Sequence, residues 1–195
     1  MNVALYGGSF NPIHVGHTSL GAWIVEHGYA DELWYLVSPH NPLKPRGDLM
    51  QDDLRLRLAQ LAVDAVIEKN PTLKGRLRVS DFEFHLPRPS YTVNTLEALR
   101  NAFPDKVFTL VVGADNWQRF TKWYRSEDIL RHHRILVYPR AGVDLPDDSD
   151  HFTFLNDAPL FDISSTQIRN SIACDPDYDG AGLPPAVWKE MSLKT

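Results

Sequence analysis

Short apolar runs closed by glycine or proline alternate with helical stretches along nearly the whole chain, and that alternation demands a parallel sheet with helical crossovers. Residues 3–6, 33–38, 77–84, 107–112, 135–138 and 152–155 read as strands. Between them, residues 15–27, 52–68, 92–102 and 165–173 read as helices, with Gly28 stopping the first and Thr92 capping the third. Two short helices are expected near Asn116 and Glu127, and a last one after Leu183. Leu54, Leu58, Leu61 and Ala65 recur at helical spacing and form the expected apolar stripe of 52–68, with Arg55 and Lys69 off it. Segments 40–48, 85–90 and the acidic stretch 141–150 read as loops. The expected fold is α/β, a doubly wound, Rossmann-like parallel sheet with helices on both faces, formed as one domain over residues 1–195.

In such sheets ligands lie beyond the carboxyl ends of the strands. The polar motifs of this chain all follow expected strands, so they can converge there. A formal net charge of −5 argues against a nucleic-acid surface, which usually shows as a basic patch. The single cysteine, Cys174, cannot form an intrachain disulfide. No apolar run approaches the ~20 residues of a membrane helix. The amino terminus reads as a first strand rather than a signal peptide. The cytoplasm is the expected compartment.

Gly7-Gly8-Ser9-Phe10-Asn11-Pro12-Ile13-His14-Val15-Gly16-His17 carries the most chemistry. Glycines after a strand let backbone approach a phosphate, and the helix that follows offers free N–H groups and a favourable dipole. His14 and His17, three apart, share a helical face and can both donate to phosphate oxygens. The same residues also fit a plain strand–turn–helix with two surface histidines, or a pair of metal ligands, although no Cys, Asp or Glu lies near them in sequence. Further on, Ile163-Ser164-Ser165-Thr166-Gln167-Ile168-Arg169 has the spacing of a capping box at Ser164 and Gln167. It reads as a capped helix, or as a second phosphate-facing helix start with Arg169 as its cation.

The first segment resembles the Gly-x-x-x-Pro-x-His-x-x-His signature of the nucleotidylyltransferase superfamily, matched by Gly8, Pro12, His14 and His17. The second is similar to that superfamily's Ile-Ser-Ser-Thr-x-Ile-Arg sequence. Both occur in the expected order. Internal segments resemble the nicotinate mononucleotide adenylyltransferase branch: Pro89-Ser90-Tyr91-Thr92 with Thr95-Leu96, Gly113-Ala114-Asp115, and Trp123 with Tyr124. The resemblance runs from Gly7 to Arg169, and the tail after Ala173 adds little to it. One departure is Leu43, which stands where the family often has His before Lys44; His40 lies three residues earlier.

The resemblance implies AMP transfer from ATP to a mononucleotide phosphate, with nicotinate mononucleotide as acceptor. The alternatives are nicotinamide mononucleotide or pantetheine phosphate as acceptor, or a nucleotide-binding regulator without turnover. It implies an ATP site of Gly7, Gly8, Ser9, Phe10, His14, His17, Ser164, Ser165, Thr166 and Arg169. It places Lys44, Tyr91, Thr92, Gly113, Asp115, Trp123 and Tyr124 at the acceptor. His14, His17, Lys44 and Arg169 would act on the phosphates, with Mg²⁺ bound mainly through them and no protein metal cage. Trp117 is a competing aromatic for the ring-stacking role of Trp123. Backbone N–H donors near Trp123 and Tyr124, and the absence of Asp or Glu between Asp115 and Glu127, favour a carboxylate on the acceptor ring.

Overall fold

The computed structural model describes residues 1–39, 49–140, 142–143 and 151–193. Six strands form one sheet: β1 (Asn2–Gly8), β2 (Glu32–Val37), β3 (Leu77–Ser80), β4 (Val107–Gly113), β5 (Ile135–Tyr138) and β6 (Phe152–Phe154). Their order is β3-β2-β1-β4-β5-β6, and every neighbouring pair is parallel. The chain therefore winds outward from β1 in one direction and then, from β4, in the other. β1 and β4 flank the point of reversal, where such sheets open a crevice.

Seven α-helices cross over the sheet: α1 (Val15–Glu26), α2 (Asp52–Lys69), α3 (Thr92–Ala102), α4 (Ala114–Trp117), α5 (Ser126–His132), α6 (Ser165–Cys174) and α7 (Pro185–Ser192). The pleat sends alternate side chains to opposite faces. Ala4 and Tyr6 of β1, with Leu33, Tyr35 and Val37 of β2, pack under α1, α2 and α7 in one apolar cluster. Val3, Leu5 and Trp34 point the other way and pack with Val93, Leu96 and Leu99 of α3 and Ile129 of α5 in a second cluster. Both faces of β2 are buried, which is why its sequence is a continuous apolar run rather than an alternating one.

Three local expectations need correction. The strand expected over 77–84 ends at Ser80, and Phe82–His85 closes as a 3₁₀ turn. There Glu83 turns inward, and the Thr95 hydroxyl donates to its Oε1 at 2.8 Å. Thr92 is the first residue of α3 rather than its cap; Tyr91 holds the cap position. The buried residues of α2 are Arg55, Leu58, Ala59, Ala62 and Val63, so Arg55 belongs to the buried face rather than to the solvent side. The fully buried face is thus turned from the expected leucine stripe, of which Leu58 is buried while Leu54 and Leu61 pack half-buried on the same apolar cluster.

Candidate active site

The loop leaving β1 is bound on all sides. Phe10 takes a left-handed backbone (φ 42°), and its ring packs edge-on against His17 at 5.1 Å and against Tyr6 at 5.7 Å. The Phe10 side chain is thus a core anchor, and only its backbone is open to the nucleotide role expected of it. Asn11 Oδ1 accepts from Met50 N–H at 2.9 Å, and the Asn11 carbonyl accepts from Arg169 Nη1 at 2.8 Å. The Ser165 hydroxyl donates to the Pro12 carbonyl at 2.9 Å. Within the first turn of α1, Val15 N–H donates to the Gly182 carbonyl at 3.0 Å. The tail therefore contributes directly to this corner. Gly182 has φ 82°, a backbone that strains any residue with a Cβ, and a Cβ on it would lie 2.0 Å from Ile163 Cδ1, which would have to move. A Cβ on Gly7, by contrast, would meet open space above the sheet end.

His14 caps α1, and its backbone N–H donates to His17 Nδ1 at 3.2 Å. That nitrogen carries no proton, so the hydrogen of a neutral His17 ring sits on Nε2. The two rings lie 3.7 Å apart, centroid to centroid. His14 is 3% exposed. Burial, with a smaller push from the Arg140 guanidinium, lowers its pKa from 6.5 to about 4. At neutral pH the His14 imidazole is therefore uncharged, and positive charge beside it has to come from elsewhere. His14 Nδ1 is buried and has no partner among the described residues.

Arg140 supplies that charge, and the sequence reading missed it. It follows β5, and with Tyr6, His14, His17, Tyr138, Asp162 and Ile163 it lines a pocket of about 150 Å³. Its Nη2 donates to the Tyr138 hydroxyl at 3.1 Å, and its Nε lies 3.7 Å from Asp115 Oδ1. Burial opposes the charge, but the oxygens of Tyr138, Tyr6 and Asp115 more than offset that and keep the guanidinium firmly protonated. Its Nε makes no hydrogen bond among the described residues. The available signal was positional: an arginine two residues past a strand whose carboxyl end faces the crevice.

The Ser164–Arg169 segment starts α6 against the same loop. Ser164 Oγ accepts from Gln167 N–H at 3.2 Å and donates to Gln167 Oε1 at 2.8 Å, so the capping spacing is realised. Ser164 and Ser165 spend their hydroxyls on the cap and on Pro12, Thr166 is exposed, and Arg169 is half-buried with Nη1 on the Asn11 carbonyl. Arg169 Nη2 lies 3.5 Å from Thr166 Oγ1.

A second cluster lies across β4. Gly113 ends that strand, and a Cβ there would sit 2.6 Å from Asp115 Oδ1. Asp115 is exposed at the mouth. Tyr91 at the head of α3 meets Tyr124 at 4.7 Å between ring centroids. Trp117 is spent in the core, packed on Phe120, Phe152 and Phe154. Trp123 remains as the aromatic of this cluster. Its indole Nε1 and the Ser90 hydroxyl are buried without partners among the described residues. Thr92 is half-buried beside them. Lys44, Leu43, His40 and the acidic stretch 144–150 lie outside the described residues.

A parallel sheet wound 3-2-1-4-5-6, with two imidazoles and a guanidinium gathered beside the reversal of its winding, defines a doubly wound α/β fold with a polar crevice. The pattern of the cytidylyltransferase-like family matches residues 5–171, and the chain belongs to that family. A Bacteroides fragilis protein named "Probable nicotinate-nucleotide adenylyltransferase" is 44% identical over 194 residues, covering 98% of this chain and 91% of that one. A protein of the same name from Bacteroides thetaiotaomicron is 46% identical over 190 residues, covering 97% of this chain and 90% of that one. The Plasmodium falciparum nicotinic acid mononucleotide adenylyltransferase complexed with NaAD shares the fold at a TM-score of 0.79 and 17% identity, over 99% of this chain and 95% of that one. Among the described residues no helix is long and apolar enough to cross a membrane.

Proposed function

We propose that this chain transfers AMP from ATP to nicotinate mononucleotide, giving nicotinate adenine dinucleotide and pyrophosphate. The observation that carries the reading is the convergence of His14, His17, Arg140 and Arg169 on one loop at the reversal of the sheet. The named relatives support it.

The acceptor's phosphate is already anionic at neutral pH, so it attacks the α-phosphorus in line without a general base. Positioning and charge neutralisation then carry the catalysis. His17 Nε2–H and the His14 ring serve the α- and β-phosphates. Arg140 and Arg169 supply positive charge, with Lys44 assigned to the β- and γ-phosphates from the sequence alone. The imidazoles and charged groups of that pocket are His14, His17, Arg140 and Asp162, set among tyrosine and apolar side chains. That set suits Mg²⁺ carried in on the phosphates, where it would offset charge on the triphosphate. Asp115, exposed after β4, takes the ribose hydroxyls in this reading. The reaction draws on ATP, which fits a cytoplasmic enzyme.

Preference for nicotinate follows from the donors at the second cluster. The Trp123 indole can only donate and the Ser90 hydroxyl can donate, and both lack partners among the described residues. A ring carboxylate would accept from them as a charged group, whereas a carboxamide would meet the Trp123 indole with a neutral oxygen and could give its NH₂ to the Ser90 hydroxyl, so the charge of the acceptor carries the preference. A hydrogen bond to a charged group contributes about 1.5–3 kcal/mol against about 0.5–1.5 for a neutral one, which sets the preference at roughly tenfold. The test is pyrophosphate release from ATP with nicotinate mononucleotide, nicotinamide mononucleotide or pantetheine phosphate as acceptor. The reading requires the highest kcat/KM with the first, and Trp123→Ala should raise the KM for the mononucleotide while sparing that for ATP. Equal use of the nicotinamide compound refutes the selectivity. Turnover with none of the three, together with ATP binding, points to a non-catalytic regulator.

A further inference from the structure

Arg55 has no surface exposure at all, although its helix runs along the outside of the sheet. Its guanidinium carries five N–H donors, and each has an acceptor. Nε donates to the Met50 carbonyl at 3.0 Å. Nη1 donates to the Ser9 carbonyl and, at 2.8 Å, to the Ser38 carbonyl. Nη2 donates to the Pro39 carbonyl at 3.3 Å and pairs with the Asp52 carboxylate. The fork is saturated, and it is spent mostly on backbone.

The carbonyls it gathers come from three separate stretches: the loop after β1, the end of β2, and the start of α2. Neighbouring bonds reinforce the same junction. Ser38 N–H donates to the Gly8 carbonyl at 2.9 Å. Met50 N–H holds the Asn11 side chain. Glu83, which Thr95 of α3 also engages, accepts from the Ser38 hydroxyl. Asp52 extends the set to Arg88, beside the segment that leads to Tyr91. A burial-driven fold would fill this space with aliphatic side chains. A planar cation that reads four carbonyls instead fixes the angles and spacing of the segments that carry them.

We propose that Arg55 is a positioning residue for adenylyl transfer, holding the phosphate loop in register with the end of β2. This rests on the reading of that loop as the triphosphate site. Arg55 touches no nucleotide and acts through the Ser9 carbonyl, hence through the His14–His17 helix start beyond it. Lysine keeps the charge but has three donors on a flexible stem, so it cannot hold all five acceptors. Loss of register at a phosphoryl-transfer site on the scale of about 1 Å costs about a hundredfold in rate.

The experiment compares Arg55→Lys with Leu58→Ala, a fully buried apolar position one turn along the same helix. Both are assayed well below their melting temperatures, for ATP affinity by calorimetry and for kcat and KM by pyrophosphate release. Arg55→Lys is expected to lower kcat by about a hundredfold and to weaken ATP binding. Leu58→Ala lowers Tm but keeps both constants within about twofold of the wild type, as expected of a change that touches only packing. Equal kinetic losses in the two variants, or near-wild-type kinetics in Arg55→Lys, overturn the proposal. Should Arg55→Lys fail to fold, Asp52→Ala removes one of the five acceptor contacts from a partly exposed position. That variant must then show a several-fold fall in kcat with acceptor KM unchanged, and wild-type kinetics in it overturn the proposal equally. A wild-type chain that binds ATP but turns over no acceptor refutes the functional reading alone, because ATP affinity still reports on Arg55.

Discussion

His14 should remain uncharged throughout the physiological range and titrate near pH 4. Its imidazole is buried under the β1 loop, and the Arg140 guanidinium adds a smaller opposing charge. A displacement from 6.5 to about 4, at about 1.4 kcal/mol per pH unit, corresponds to about 3 kcal/mol against protonation in the folded chain. The sign follows from proton counting. Below pH 6.5 the unfolded chain binds a proton at this position that the folded chain does not. Stability is therefore unaffected by His14 above pH 6.5, falls as the pH drops from 6.5, and stops falling near pH 4. The direct assay is a pH titration of the imidazole carbon-bound proton by two-dimensional NMR, with the His14 signal assigned by its loss in His14→Asn. The signal should stay flat down to about pH 5. Arg140→Met should raise the midpoint only partly, since burial is the larger cause. ATP should raise it as well, by bringing phosphate charge to the ring. Urea denaturation of wild type and His14→Asn between pH 4 and 7 gives the matching energetic curve: their stabilities should converge as the pH falls. A His14 midpoint between 6 and 7, or parallel stability curves, would refute the argument and give this ring a cationic role.

Three further outcomes follow from the geometry. His17→Ala removes a donor that the His14 backbone holds in one tautomer, so kcat should fall by ~10²–10³ with Tm little changed; near-wild-type turnover would remove His17 from the chemistry. Arg169→Ala loses a charged donor worth about 1.5–3 kcal/mol, so KM for ATP should rise about tenfold to a hundredfold while acceptor KM holds steady, and equal losses for both substrates would make the residue structural. Gly21→Ala would place a Cβ 2.0 Å from the hydroxyl of fully buried Tyr35, an overpacking that costs about 1–3 kcal/mol and several degrees of Tm. Adding Tyr35→Phe to that variant should recover part of the loss, and failure to do so would place the strain elsewhere.

Much of the architecture was legible because strands buried on both faces leave a direct trace. The runs at β1, β2 and β4 are continuous and apolar, and their glycine or proline endings mark where backbone turns out of the sheet. Local chemistry was legible for the same reason: the Ser164–Gln167 cap and the His14–His17 spacing depend only on neighbours in sequence. Strand order was not legible. Parallel pairing of β1 with both β2 and β4 is set by how the crossovers pack, and no turn fixes it. Hydrophobic spacing also misplaced the inner face of α2, since a polar residue scores as outward unless its partners are known. Arg55 is buried because acceptors from residues 9, 38, 39, 50 and 52 meet around it, and such a meeting exists only in three dimensions. The same holds for the charge of the site. Sequence supplied two histidines that read as paired donors to phosphate. Tertiary burial makes His14 neutral and brings Arg140, 126 positions later, beside it. Residue type and spacing determine which groups can carry the chemistry; solvent exclusion and long-range neighbours, which only the fold provides, decide their protonation and their partners.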